Sequence, residues 1–365
     1  YMKILVASSY KHAWNSVRPE AELFIELQNR GHSITILTQK NIEYKSKFEA
    51  AGIKVIECYP SKKICIKTIK IYRKELISDN YDIFYAFNSK TIPNAAFASI
   101  GTKVKLITYR GTTGGLYRHD PSAYLTHLHP RIDGIICVSK AVEKDVKKRV
   151  WKNKHNIVTI YKGQSTSWYT HPPANREDFV AEKNAVLGIC AAHVRPSKGI
   201  PILLEAMKLL NCSSFHLILV GSGFEPYLEK LEGSSVKKNI HFLGHRDDVP
   251  SLMAMADIQI QPSISGEGLP RTIIEAMANA TTSIVTTTGG SPELVDNERT
   301  GYIVPVNNSH EISGAIEKFI NNPQLIEEFG KRAKQKLENE FSSSITADKH
   351  VDFFERLLSK GSKPC

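Results

Sequence analysis

The sequence lacks several features that would settle its class at a glance. It has six cysteines, at positions 58, 65, 137, 190, 212 and 365. None form a C-x-x-C pair, so the plain reading is buried, reduced thiols in a cytosolic protein. No apolar run approaches the ~20 residues that a membrane helix needs. Met2-Lys3-Ile4-Leu5-Val6 is too short for a signal peptide and runs straight into polar residues. There is no repeat of solenoid period, and no zinc-finger or RNP signature. What remains is an ordinary globular composition, 41% hydrophobic and 23% charged, which argues against disorder. At roughly 150 residues per domain, 365 residues suggest two domains.

Charge divides the chain. Residues 1–170 carry 28 Lys and Arg against 13 Asp and Glu, a net of +15. Residues 171–365 carry 20 against 24, a net of −4. A partner of the basic half is therefore expected to be anionic: nucleic acid, an anionic membrane surface or a phosphorylated substrate. A solvated basic surface with no partner is the alternative.

Short runs rich in β-branched residues alternate with helical patterns. Strands are predicted at Lys3–Ser8, Ser33–Thr38, Lys54–Cys58, Ile83–Ala86, Val104–Tyr109, Gly134–Ser139 and Ile157–Tyr161. A second series runs Ala185–Ala191, His216–Val220, Ile240–Leu243, Ile258–Pro262, Ser283–Thr287 and Gly301–Val304. Helices are expected between most of them, among others at Pro19–Arg30, Ile200–Leu210 and Pro270–Asn279. Such alternation implies parallel sheets covered on both faces. The polar stretch 166–178, with Pro172-Pro173, reads as a linker. The expected division is residues 1–165, a linker 166–178 and residues 179–341, with a helical segment 342–365 at the end. Ligands of open α/β sheets bind outside the carboxyl ends of the strands, so motifs just after strands carry most weight.

Three do so. Ser265-Gly266-Glu267-Gly268-Leu269-Pro270-Arg271 follows Ile258–Pro262. Its glycines permit a tight turn, Pro270 suits the first turn of a helix, and the helix start offers N–H groups to a phosphate. Glu267 and Glu275 are carboxylates suited to accept hydrogen bonds from vicinal hydroxyls. Read singly, each is an ordinary surface or helix Glu. Arg195 and Lys198 follow Ala185–Ala191 and can clamp a diphosphate, one as a fork and the other as a point charge; alone they read equally as a solvated pair. Gly221 and Gly223 form a Gly-x-Gly after a strand, which a plain turn would also explain.

Taken together, the spacing resembles the donor-binding half of the retaining glycosyltransferases of family 4, also called group 1. Glu267 and Glu275 match that family's Glu-x7-Glu. Arg195 and Lys198 match its Arg/Lys loop, Val220–Gly223 its Val-Gly-x-Gly, and Phe242-Leu243-Gly244 its Phe-Leu-Gly. Gly289-Gly290-Ser291-Pro292-Glu293 is similar to the family's Gly-Gly-x-x-Glu. The resemblance covers roughly residues 185–320. It implies an α/β fold of the GT-B class, with two Rossmann-like doubly wound domains facing each other across a cleft. The first would bind the acceptor, the second the nucleotide-sugar donor, and the C-terminal segment would cross back onto the first. It assigns Arg195 and Lys198 to the donor diphosphate, Glu275 to ribose and Glu267 to the sugar. Gly268 and Leu269 would give backbone N–H groups beside Pro270, and the backbone around His245 and Arg246 would meet the base. No cofactor and no metal are expected, and the sequence has no Asp-x-Asp.

The chain departs from the family pattern on the acceptor side. Ser8-Ser9-Tyr10-Lys11-His12-Ala13-Trp14-Asn15 replaces a Gly-Gly loop, and Arg110 stands where many members carry His. Arg110 is a candidate for a sugar hydroxyl or phosphate, and His119 beside Asp120 for a general base. The plain reading of His119, His127 and His129 is surface histidines. Two basic stretches have an amphipathic pattern. In one, Ile66, Ile69, Tyr72, Leu76 and Ile77 share a face, with Lys67, Lys70 and Lys74 opposite. The other groups Lys140, Lys144, Lys147, Lys148, Arg149, Lys152 and Lys154 around Trp151. Both could rest on anionic lipid or lie in water over their own sheet.

The expected activity is retaining sugar transfer from a nucleoside diphosphate-sugar to a glycan or lipid-linked glycan. The setting would be surface polysaccharide or lipopolysaccharide synthesis, in the cytoplasm or at the inner face of the membrane. Nucleic acid is not the expected partner. A GT-B nucleotide-sugar epimerase and a basic nucleic-acid-binding protein are the alternatives.

Overall fold

The computed structural model describes residues 1–11, 17–210, 212 and 214–359. The loop positions His12–Asn15 and the C-terminal residues 360–365, both singled out above, lie outside the described residues. The chain forms two compact units, residues 1–164 with 341–365, and residues 165–340.

In the first unit the order is β1 (Lys3–Ala7), α1 (Arg18–Asn29), β2 (Ser33–Thr38), α2 (Lys45–Ala50), β3 (Lys54–Glu57) and α3 (Ile66–Ser78). Then come β4 (Ile83–Ala86), α4 (Thr91–Ala98), β5 (Lys105–Arg110), β6 (Gly134–Cys137), α5 (Lys140–Arg149) and β7 (Ile157–Thr159). The strands form one parallel sheet, ordered β3-β2-β1-β4-β5-β6-β7. Ile4–Ala7 and Ile83–Ala86 are buried along their whole length, which is why they read as unbroken apolar runs rather than alternating ones.

In the second unit the order is β8 (Val186–Ala191), α6 (Ile200–Leu210), β9 (Phe215–Val220), α7 (Glu225–Glu229), β10 (Ile240–Gly244) and α8 (Val249–Met255). It continues with β11 (Ile258–Gln261), α9 (Arg271–Ala278), β12 (Thr282–Thr286), α10 (Ser291–Leu294), β13 (Gly301–Val304), α11 (Ser309–Asn321) and α12 (Gln324–Glu340). Its parallel sheet is ordered β10-β9-β8-β11-β12-β13. The fold class is α/β, two Rossmann-like sheets.

After α12 the chain returns to the first unit as α13 (Ser343–Ser359), which packs on α1. Ala347, Phe353, Phe354 and Leu357 join the first core. Gly134 makes room for this helix, since a Cβ there would lie 2.9 Å from the Phe353 ring. Among the described residues no helix is long and apolar enough to cross a membrane.

Three sequence expectations shift. The stretch 166–178 is fastened to the second unit. It carries 3-10 turns at Thr166–Tyr169 and Arg176–Asp178, and Arg176 pairs with Asp257 at 2.8 Å. Helix α3 buries Thr68, Tyr72 and Leu76, a row at spacing four. Ile66 and Ile77, at its two ends, stand 68% and 64% exposed. His127 is buried rather than at the surface.

Candidate active site

The strand order of the second sheet reverses between β8 and β11. Connections leaving these two strands run to opposite sides and open a crevice at their carboxyl ends. Lys198 lies in the loop after β8 and Glu267 in the loop after β11. The Glu267 side chain is 8% exposed and pairs with Lys198 at 2.7 Å.

Glycine brings these loops together. Gly199, at φ +68°, passes so close to β11's exit that a Cβ would sit 2.0 Å from the Pro262 carbonyl oxygen. The Ile264 N–H donates to the Ser197 carbonyl at 2.8 Å. Gly289, after β12, presses on the backbone of Glu267; a Cβ there would lie 2.1 Å from its carbonyl oxygen. No other residue type fits a positive φ at such separations.

Glu267 Oε1 accepts from Ser263 Oγ at 2.6 Å and Gln261 Nε2 at 3.2 Å, besides Lys198. Gln261 in turn accepts from Thr272 Oγ1 at 2.8 Å and from Gln259 Nε2 at 3.3 Å. Thus a buried polar chain runs from inside β11 to the carboxylate and fixes its direction. Gln259, Gln261 and Ser263 were not among the predicted site residues. Their signal was there: polar residues at period two on a central strand, alternating with Ile258 and Ile260.

The other predicted donor residues lie in the loops after β8, β9, β10 and β11 and on α9. Arg195 is exposed in the same loop as Lys198. The loop after β9 is laced to it, with Val194 N–H donating to the Ser222 carbonyl at 2.9 Å and His193 bonded to Ser222. Gly221, at φ +129°, would meet the Ala192 carbonyl oxygen at 1.9 Å with any Cβ, and Gly223 follows at φ +92°. His245 and Arg246 are exposed beyond the edge strand β10, and Arg246 is held by both oxygens of Asp248 at 2.6 and 2.7 Å.

Pro270 is the N-cap of α9, in extended conformation, and not its first helical residue. The helix has no side-chain cap and no acidic residue in its first turn, so the positive end beside Gly268 and Leu269 is left for an anion. Glu275, within α9, is half-buried and 3.5 Å from Arg271. Burial raises its carboxyl above the usual range, against the pull of Arg271 and His171.

In the first unit Arg110 ends β5. Its guanidinium donates to the Thr112 carbonyl at 3.1 Å and to the Gly114 carbonyl, while Gly114 N–H donates to Asp145 at 2.9 Å. Beneath it, His127 is bonded to Thr108 at 2.9 Å. Burial, with Arg110 nearby, pushes this histidine down to about 3, so it is neutral at physiological pH. His119 is exposed and stacks on Tyr117. Asp120 does not serve it as a dyad partner; its carboxylate caps a 3-10 turn through Ser122 N and Oγ at 2.8 and 2.9 Å.

Sequence reading also missed Glu20. It sits at the start of α1, fully within the protein, among Tyr85, Tyr109, Lys162 and His350 around a cavity of about 20 Å³. Its Oε1 and the Tyr85 hydroxyl are buried without a hydrogen-bond partner, and burial raises its carboxyl. An acidic residue in a first helical turn is so common that it gives no local signal. Among the described residues no group of three or more His, Cys, Asp or Glu is placed to hold a metal ion.

Two doubly wound parallel sheets define the GT-B fold class, and the second carries cations, a buried carboxylate and an open helix N-terminus at its switch point. Family comparison narrows this. The Glycosyltransferase Family 4 model matches residues 21–168 and the Glycosyl transferases group 1 model residues 173–336. Between them the two models span most of the chain, and the chain belongs to this family of glycosyltransferases. It is 25% identical over 360 residues to the N-acetyl-alpha-D-glucosaminyl L-malate synthase of Bacillus anthracis, covering 92% of each chain. Among solved structures, a glycosyltransferase from Rickettsia africae ESF-5 gives a TM-score of 0.79 at 20% identity over 98% of both chains. Anabaena Alr3699/HepE, solved in complex with UDP-glucose, gives 0.72 at 20% identity over 98% of this chain and 100% of its own. The epimerase and nucleic-acid alternatives are not favoured by these matches.

Proposed function

We propose that this chain moves a sugar, with retention of configuration and without a metal, from a nucleoside diphosphate-sugar to a hydroxyl of an anionic acceptor. A glycan or lipid-linked glycan of a surface polysaccharide or lipopolysaccharide is the acceptor class that suits the basic first unit, met from the cytoplasmic side of a membrane. The observation that carries the reading is the Lys198–Glu267 pair at the switch point of the second sheet. In this reading Lys198, Arg195 and the N–H groups opening α9 stabilise charge that grows on the leaving diphosphate. Glu267, aimed by Ser263 and Gln261, holds a hydroxyl of the donor sugar, and Glu275 the ribose. Gly221 and Gly223 let the backbone approach the nucleotide, with the backbone of His245 and Arg246 toward the base. Arg110 and His119 belong to the acceptor side.

The relative from Bacillus anthracis bears the name of a malate conjugate, which favours a second reading of the acceptor as a small dicarboxylate. The net +15 of residues 1–170 suits either. The test is a melting screen with UDP, GDP, ADP and their sugars, followed by transfer assays with malate and with lipid-linked glycans. Nucleotide at 100 times its Kd stabilises by about 2.7 kcal/mol. A chain that no nucleoside diphosphate stabilises is not this enzyme. A product with the anomeric configuration opposite to the donor's would overturn retention, and abolition of turnover by EDTA would overturn metal independence.

A further inference from the structure

A second concave site lies in the first unit, at the amino ends of β6 and β7, the opposite end of the strands from Arg110. It is a cavity of about 300 Å³, at the lower bound of the ~300–1,000 Å³ typical of small-molecule sites. Its wall is apolar, built from Leu128, Ile132, Ile135, Val150, Trp151 and Ile157. Trp151 stands 60% exposed at the opening. Its indole N–H donates to the Tyr124 hydroxyl at 3.2 Å, and the Arg118 guanidinium lies 3.8 Å over its ring. A tryptophan and a tyrosine held in this way, apolar on one side and wet on the other, suit a membrane-water boundary.

Charge at the opening is of one sign. Lys152 lines the cavity, and Lys148 and Lys154 are exposed close by in sequence. The one carboxylate in the wall, Asp133, is engaged by Arg131 at 2.7 Å and by the Leu106 N–H at 2.8 Å. His127 is neutral and bonded to Thr108. Right-handed crossovers that step along the sheet in one direction lie on one face, so α3 and α5, both stepping from β3 toward β7, share a face. There α3 adds exposed Lys67, Lys70 and Lys74 and the exposed Ile66 and Ile77.

We propose that this cavity takes one acyl chain of an anionic membrane phospholipid, with Lys152 at its opening meeting the headgroup phosphate. The proposal deepens the membrane part of the reading above and rests on it; the donor chemistry is independent. Apolar wall surface that leaves water on docking, and cations that meet anionic headgroups, each add to membrane affinity. This surface offers both.

The test uses the full chain with vesicles of phosphatidylcholine alone and of phosphatidylcholine with phosphatidylglycerol, the latter also with acyl-brominated chains. Binding is expected to the anionic vesicles alone. Bromine on the chain is expected to quench tryptophan fluorescence, and Trp151→Phe to remove the quenched component while turnover on a soluble acceptor is unchanged. Lys148→Glu/Lys152→Glu/Lys154→Glu is expected to weaken binding by at least about tenfold. Vesicle binding whose quenching survives Trp151→Phe would overturn the cavity and leave membrane docking standing. Absence of vesicle binding would overturn both, whereas failure of the donor reading would show separately, as a melt that nucleotides do not shift.

Discussion

The Lys198–Glu267 pair allows its structural and chemical roles to be separated. Lys198→Met leaves the Glu267 carboxylate, 8% exposed, with only the neutral donors Ser263 and Gln261. Loss of one charged hydrogen bond costs about 1.5–3 kcal/mol, and each kcal/mol lowers the melting temperature of a domain this size by about 2–4 °C. Glu267→Gln keeps the shape and the bonds from Ser263 and Gln261 but leaves Lys198, whose side chain is 26% exposed, without its counter-charge. Its ammonium can turn to water, so the cost is about 1 kcal/mol. The double variant leaves no unpaired charge, so its loss of stability should be smaller than the two single losses together, by about 1–2 kcal/mol. Turnover follows another rule. If Lys198 meets the diphosphate and Glu267 the sugar, each single variant loses about 100-fold or more, about 2.7 kcal/mol of barrier, and the double recovers none of it. The assays are thermal melts and nucleotide release from the donor identified by the melting screen. If turnover returns in the double variant along with stability, the pair merely props two loops together, and the proposed chemistry is wrong.

Gly289→Ala places a methyl group against the Glu267 backbone at a positive φ. It should cost about 1–3 kcal/mol and displace Glu267, so donor affinity and melting temperature fall together; a variant that melts and turns over as the parent does would refute the close approach. Glu20 gives a pH-dependent prediction. Burial raises its folded pKa above the unfolded value near 4.5, so the folded state binds the extra proton. Stability from this group is therefore lost as pH rises from the unfolded pKa through the folded one. Glu20→Gln should raise the melting temperature at neutral pH and flatten this slope in the mildly acid range. A variant less stable than the parent at every pH would show that the carboxylate is held charged by its surroundings.

The strands were legible because parallel strands buried on both faces must be apolar and β-branched throughout. All thirteen predicted runs coincide with observed strands to within two residues at each end. Helix faces were less so. Hydrophobic periodicity marks α3 as amphipathic, but which residues turn inward depends on where the helix meets its sheet, and Ile66 and Ile77 fall beyond the Thr68–Tyr72–Leu76 row. In the site, Gly199 and Gly289 were visible only as motif letters; what demands them is a carbonyl oxygen from another loop. Lys198 and Glu267 are 69 residues apart, and no local pattern states that they touch. Glu20 was illegible for a different reason. Its environment is assembled from β4, β5, the segment after β7 and α13, and none of these marks its own sequence position.

The pairing of Lys198 also bears on how a mildly acidic domain can receive an anion. Other cations of this unit pair with carboxylates nearer the surface, as in Arg176–Asp257, Lys237–Glu232 and Arg246–Asp248. A diphosphate approaching Glu267 alone would meet a like charge in a poorly solvated loop, where repulsion is strong. With Lys198 and Arg195 in the loop after β8 and the N-terminus of α9 worth about half a positive charge, the local sum before the donor arrives is about +1.5, Glu267 included. Two negative charges on the proposed donor would bring that sum close to neutral. A lysine suits the shared position because its ammonium is a point charge with three donors on a flexible stem. It can stay bonded to the carboxylate while it turns a second N–H to phosphate, whereas an arginine fork engaged by both Glu267 oxygens would have to break that geometry first. On the proposed reading, the 2.7 Å pair would let one lysine serve a carboxylate facing the sugar and a diphosphate at once.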